Sequence, residues 1–502
     1  MARNSAICSV IAVVAWSVLV AASPFDSAQG RPDRRVVEAA KARDLTTIRA
    51  LVAARADVTV PQGDGATALH WAAHWDDAAI ADALIAAGAP ANAADDHGVT
   101  PLALACLNGS TTMVERLLDA GAKADVVSVV GETPLMIAAH TGNAVVVAKL
   151  LTHGARHDTV ETSLGQTALM RAVVENHVEV VRTLLAAGAD PRARSKNRFT
   201  PLLFAAQQGN IEIARLLIAA GADVNEAAPD GIAGDTNAGR SFKPDTEAAA
   251  LLVAIDSQHE AMARFLLDSG ANPNLHGAGR TALHSAVQQA MPELVKALLA
   301  RGADPNAALT RPMPLLSRFI LQAHGLEVST IGATSFWLAA SYLDVRTMRL
   351  LVEGGASPLA KSADGTTPLM VAAGIDFVEG QDKYGRRWFA SDTAALQQAA
   401  RETIAYCLEL GDDINAANDV GQTPIIGAVY FRSPAMVQFL VDRGAKINVV
   451  NKRGQTPWLI TQGEYRSGSF FIDKETGDYL VTLGADVTLG KDLGPEFRKP
   501  AR

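Results

Sequence analysis

Eleven histidines, three cysteines and scattered loop acids are the side chains of this chain best suited to chemistry. His70 with His74, and His153 with His157, have the spacing that sets two imidazoles on one face of a helix, which is half of a metal site. The frames that turn such residues into a centre are missing. The sequence contains no His-Glu-x-x-His, no Gly-x-Ser-x-Gly, no Cys-x-x-Cys, with or without a following His, and no phosphate-cradling Gly-Lys-Ser/Thr. Residues 473–478 resemble a cation loop only loosely, because the alternating acidic ligands are absent. Gly277-Ala278-Gly279 starts like a glycine-rich loop, yet it stands just ahead of Thr281, where glycine recurs along the chain for backbone reasons. One catalytic arrangement stays open, a hydrolase built from Asp376, Glu379 and Asp382 in a single loop. Loop acids are far more often solvated than catalytic, so no catalytic residue, cofactor or metal ligand is assigned.

The elements that would position these residues repeat. Thr67-Ala68-Leu69-His70, Thr100-Pro101-Leu102, Thr133-Pro134-Leu135, Thr167-Ala168-Leu169 and Thr200-Pro201-Leu202 follow at steps of 33, 33, 34 and 33 residues. Each is answered 21 residues later by Gly88, Gly121, Gly154, Gly188 or Gly221. The same ruler pairs Thr281 with Gly302, Thr334 with Gly355 and Thr423 with Gly444, and finds a worn copy at Ala249 with Gly270. Thr367 and Thr456 reach Gly411 and Gly484 only across insertions, and a first degenerate copy starts near Arg34. An extended Thr caps a helix through its hydroxyl and Pro is tolerated at the next position, so each Thr marks a helix start. An apolar stretch such as 145–151 supplies a second helix, and the Gly ends it in the left-handed region. Two residues before the Thr stands a turn glycine; Arg198 takes that place once, where a distorted hairpin is expected. Residues are 49% hydrophobic but only 5% aromatic, so the core is built from Ala, Val, Leu and Ile, a mixture suited to close-packed helices.

A 33-residue period carrying Thr-Pro-Leu-His-x-Ala resembles the ankyrin repeat, and the resemblance covers nearly all of the chain after residue 33. It implies an all-α solenoid of about twelve helix-turn-helix units joined by β-hairpin loops. It also implies that His70 and His284, at the repeat's own His position, make a structural hydrogen bond at the hairpin, and it places Cys106 where a small buried Ala is usual. The layout expected is repeats 1–6 over 34–222, an inserted loop at 223–248, repeats 7–8 over 249–302, a second inserted loop at 303–333, and repeats 9–12 over 334–488. A third insertion falls at 374–401 and a smaller one at 463–471, and 489–502 is a polar tail.

The resemblance implies a binding module with a protein partner rather than an enzyme, since an extended curved surface suits a macromolecule. In an ankyrin-like unit, positions seven and eight after the Thr project from the first helix toward the concave side, so the resemblance implies that the partner meets them there. They are His74 and Trp75, Leu107 and Asn108, His140 and Thr141, Gln207 and Gln208, Gln288 and Gln289, Ser341 and Tyr342, and Tyr430 and Phe431. Arg387 and Trp388 in the third insertion join them as candidate contacts, being of types enriched at interfaces. A net charge of -8 argues against a sequence-independent grip on nucleic acid.

Residues 1–22 read as an export signal: Arg3, an apolar run over 6–20, then small residues ending at Ala22, with 23–33 as linker. The alternative is an uncleaved N-terminal anchor; no other membrane contact is expected. Both readings put the repeats in the periplasm or outside the cell. Only Cys8, Cys106 and Cys407 occur and Cys8 leaves with the signal, so no disulfide framework is built.

Overall fold

In the computed structural model of the chain, residues 33–227, 248–277, 279–311, 329–375, 393–466 and 469–490 are described. The export segment, most of the three longer insertions, including Asp376, Glu379, Asp382, Arg387 and Trp388, and nearly all of the polar tail lie outside them.

The described residues form twelve helix pairs, from Arg35–Lys41 with Leu45–Ala53 to Pro457–Thr461 with Lys474–Thr482. The capping chemistry read from the sequence operates at the first helices. Thr100, Thr133, Thr167, Thr200, Thr334, Thr367 and Thr456 are extended, and each hydroxyl accepts a hydrogen bond from the backbone N–H three residues on. The Leu two residues after the Thr faces inward: Leu69, Leu102, Leu135, Leu169 and Leu202 are at most 2% exposed. Each such side chain contributes about 2 kcal/mol by leaving water.

Neighbouring pairs stack without a break, first helix on first helix and second on second, from repeat 1 to repeat 12. Over the first seven junctions the first helices, although shorter, approach one another more closely than the second helices do. Small buried residues allow this, as with Ala72, Ala105, Ala138, Ala172 and Ala205, all fully buried. The stack therefore bends with its first helices on the concave side. The connecting hairpins are stitched into a ladder by single backbone bonds, among them Asp96 N–H to Asp64 C=O (2.9 Å), Val129 to His97 (3.0 Å) and Lys196 to Leu164 (2.9 Å).

A second set of ties joins the opposite ends of the repeats, and the sequence reading missed it. An Asn four residues after the helix-ending Gly donates to the carbonyl of the next repeat's equivalent Gly and accepts from a backbone N–H two residues beyond. Asn274 does so with Gly302 (2.8 Å) and Asp304 (2.7 Å); Asn92, Asn415 and Asn448 repeat the pattern. Asn225 and Asn306 make the same tie across the two long insertions, to Gly270 (3.3 Å) and Gly355 (3.0 Å). Each of those insertions leaves the stack through a narrow neck, closed by antiparallel bridges at Ala227–Ala249 and Ala308–Thr334.

Three local features depart from the regular unit. In repeat 10 the first helix is cut to Pro368–Ala372 and the second extended to Thr393–Glu409. In repeat 12 the insertion forms a two-stranded antiparallel hairpin, Glu464–Arg466 with Ser469–Phe471. Arg198 corrects an expectation: it adopts φ 63 like the glycines it replaces, and its hairpin closes normally, with Ser195 N–H bonded to Phe199 C=O at 3.0 Å. The hairpin keeps its shape and the side chain bears the left-handed strain, about 1 kcal/mol.

Replacing Asn274 by Ala removes a donated and an accepted bond from the junction of repeats 7 and 8. We expect a loss of about 1–2 kcal/mol in urea unfolding, with faster amide exchange concentrated in those repeats; an unchanged unfolding curve and exchange pattern would show the tie to be dispensable.

Candidate functional site

The residues seven and eight places after each Thr all come to the same position, the C-terminal end of a first helix. His74 ends Ala68–His74 and Trp75 caps it; Leu107 and Asn108 stand likewise on Pro101–Leu107; His140 and Thr141 close Pro134–Thr141, and Gln207 and Gln208 close Pro201–Gln208. Gln288 with Gln289, Ser341 with Tyr342, and Tyr430 with Phe431 occupy the corresponding ends in repeats 8, 9 and 11. Helix packing thus aligns one edge of side chains along the array.

That edge is not uniform. In repeats 2 and 3 it is open and apolar, with Trp75 41% and Leu107 49% exposed beside exposed His74. The rings form a group: His74 and Trp75 lie 4.6 Å apart edge-on, and Trp75 stacks on Trp71 at 6.1 Å. Trp71 is buried, its indole N–H donating to Gln62 Oε1 at 3.2 Å, and Lys41 Nζ lies 5.3 Å from its ring centre. Trp71 was not among the expected contacts, although its four-residue spacing from Trp75 was visible. Asn108, expected as a contact, instead spends its amide donors on the carbonyls of Ala73 (2.9 Å) and His74 (3.0 Å), fixing the helix end that carries the aromatic group.

From repeat 4 onward the edge turns polar and is linked residue to residue. His140 Nδ1 is 3.3 Å from Glu175 Oε1, Thr141 and Ser341 bond backwards to helix carbonyls, and Gln289 accepts from Gln258 at 3.1 Å. Gln207 and Gln208 are exposed, and the carbonyls of His140 and Gln207 accept from His177 (2.8 Å) and His259 (3.0 Å). Those two imidazoles lie over Gly142 and Gly209, where a Cβ would stand 2.5 Å and 2.6 Å from ring atoms. Tyr342 is half-buried against the core.

Three expected contacts prove to be interior. Gln288 is 7%, Tyr430 5% and Phe431 8% exposed. In repeat 11 the cause is the shortened first helix of repeat 10: the backbones close until a Cβ on Gly427 would meet Ala373 O at 2.8 Å, and a Cβ on Gly374 would meet the Phe431 ring at 2.8 Å. Tyr430 and Phe431 fill that junction.

The titratable groups with displaced pKa values are structural. Thr67 and Thr281 form capping boxes in which Nδ1 of His70 or His284 accepts from the Thr backbone N–H, at 3.0 and 3.1 Å. In His70 this leaves Nε2 to donate to Val99 C=O at 3.0 Å, tying the helix to the next hairpin. Burial holds His70 below the ordinary imidazole range and His284 down at about 4. Burial pushes the thiols of Cys106 and Cys407 up, away from the thiolate a nucleophile needs. Among the described residues no three His, Cys, Asp or Glu are grouped to hold a metal ion, and no helix is long and apolar enough to cross a membrane.

Comparison with known proteins bears on the same residues. The family profile described as ankyrin repeats (3 copies) matches residues 36–128, 112–195 and 233–308, and the single ankyrin repeat profile matches 197–228 and 420–452. Human ankyrin repeat and SOCS box protein 16 is 34% identical over 230 residues, 42% of this chain and 46% of that protein. The human transient receptor potential cation channel subfamily A member 1 is 29% identical over 295 residues, 49% of this chain and 25% of the channel. The bovine mitochondrial disaggregase is 32% identical over 146 residues, 26% of this chain and 22% of that protein. The chain thus spans less than half the length of each of these relatives. The solved ankyrin repeat domain of human ASB11 is 28% identical, with a TM-score of 0.40, covering 47% of this chain and 98% of that one.

The buried imidazoles set a pH dependence. Above pH 6.5 His284 is neutral folded or unfolded; between 6.5 and about 4 only the unfolded chain takes up the proton, so stability falls as pH falls. For this one group the slope approaches about 1.4 kcal/mol per pH unit. His284→Gln retains a capping-box side chain and should flatten the urea-stability profile between pH 6 and 4; parallel profiles for the two proteins would remove His284 as the cause.

Proposed function

We propose that this chain, which belongs to the ankyrin-repeat proteins, is a non-catalytic binding module that holds a partner protein on its concave side, as a scaffold of the cell envelope. Ankyrin repeats are in general modules of protein–protein interaction, and the curved stack of twelve helix pairs is of that type. The observation that carries the finer reading is the open aromatic group of repeats 2 and 3. Trp75, with 41% of its surface in water, is held in place by Trp71, His74 and the Asn108 tie, and Leu107 extends the apolar surface beside it. Rigid aromatics of this kind dominate interface energies because they bury large areas with little entropy to lose. Gln207 and Gln208 give the same edge a polar continuation.

Trp75→Ala should weaken partner capture by about 1–2 kcal/mol or more while leaving the melting curve nearly unchanged. Tyr430→Ala is expected to do the opposite, costing about 3 kcal/mol or more of stability with normal affinity per folded molecule. The envelope assignment is supported by the sequence of residues 1–22. Protein purified from its native host should start after Ala22; an N-terminus at Met1 in the cytoplasmic fraction would place the module inside the cell.

A further inference from the structure

The hairpin tips carry side chains that change character finger by finger. The hairpin before Thr100 presents exposed Asp96. The next, before Thr133, presents Val127, Val129 and Val130 at 49%, 73% and 58% exposure. The third, before Thr167, presents Val160 and Leu164 at 50% and 43%. The fourth, before Thr200, presents exposed Lys196, whose ammonium donates to the Thr162 carbonyl of the third finger, with Arg198 half-exposed beside it. The backbone bonds that stitch the hairpins, including Thr162 N–H to Val130 C=O at 3.2 Å and Lys196 N–H to Leu164 C=O at 2.9 Å, hold the four fingers in one fixed edge.

Five large apolar side chains exposed on two adjacent fingers, with exposed Thr162 and Ser163 among them, mark a contact surface rather than a solvated turn. The order of the fingers says what fits it. From one end they read acidic, apolar, apolar, basic, and a copy turned by 180° reads basic, apolar, apolar, acidic. When two such edges meet about a two-fold axis between the apolar fingers, each valine finger lies on the partner's Val160 and Leu164. Asp96 of each copy then faces Lys196 and Arg198 of the other. A surface that is its own complement in shape class and charge is the requirement for a closed, two-fold symmetric contact.

We propose that these four hairpin tips are a self-association surface on which a second copy of this chain docks in antiparallel register. A contact confined to four hairpin tips gives a weak dimer that forms in roughly the micromolar range.

Sedimentation equilibrium of the full chain across a hundredfold range of concentration tests this. A monomer–dimer equilibrium is expected. Val129→Asp or Leu164→Asp should raise its dissociation constant roughly tenfold or more, as loss of a central apolar contact does. Asp96→Lys and Lys196→Asp alone should each weaken association by roughly fivefold through like charges in apposition, and the double exchange should return it near the starting value. All these positions are exposed, so unfolding midpoints should stay put and confirm that the variants are folded. A chain that is monomeric throughout, even one whose tips capture a different protein, overturns the proposal. So does a dimer indifferent to the Asp substitutions, or a double exchange no better than either single change.

Discussion

No repeat of this chain can cover its own apolar face, and everything else in the structure follows from the need for the next repeat to do it. A helix pair of this size exposes its Leu, Ala and Val residues on both flanks until neighbours stack against it. The consequence is a molecule without a centre. Its stability is distributed over eleven junctions built from the same few parts: packed first helices throughout and, at most junctions, one backbone bond between hairpins and a side chain that reaches a glycine carbonyl of the next unit. Curvature has the same origin. Small residues let the first helices come close while the second helices stay apart, so the geometry of the concave face is a by-product of core packing.

Much of this was legible in the residues. Period, Thr caps and helix-ending glycines all depend on local chemistry that a short window of sequence contains, whereas the structural role of His70 and His284 came from the family resemblance and their capping boxes were not read. The alignment of the first-helix ends was legible too, because the offset from Thr fixes where a side chain leaves the helix. What could not be read was which edge residues stay in water. Tyr430 and Phe431 are interior because the first helix of repeat 10 stops after five residues and two glycine backbones lie close together, a fact about neighbours in space rather than in sequence. The Asn ties were present as a signal, an Asn four residues after Gly in six repeats, but a polar residue in a loop looks the same whether it is solvated or bonded across a junction. Arg198 shows the converse: the ladder on either side of its hairpin outweighs the preference of one residue.

Conserving the junction parts also explains how one molecule holds surfaces of different character. The aromatic group of repeats 2 and 3, the polar chain beyond it and the apolar fingers occupy side chains that no junction requires. Changes there alter what the surface meets without altering how the units stack. The exceptions mark the boundary of that freedom, since Asn108 and His140 lie on the edge but are already engaged in holding it.

The bridging asparagines have a further consequence. Asn274 reaches a glycine 28 residues away, whereas Asn225 and Asn306 make the same bond across 45 and 49. The pitch of the array is thus indifferent to the length of chain between its links. The bridged necks at Ala227–Ala249 and Ala308–Thr334 behave as ports, places where foreign sequence could be spliced in, lengthened or exchanged while the units on either side keep their spacing.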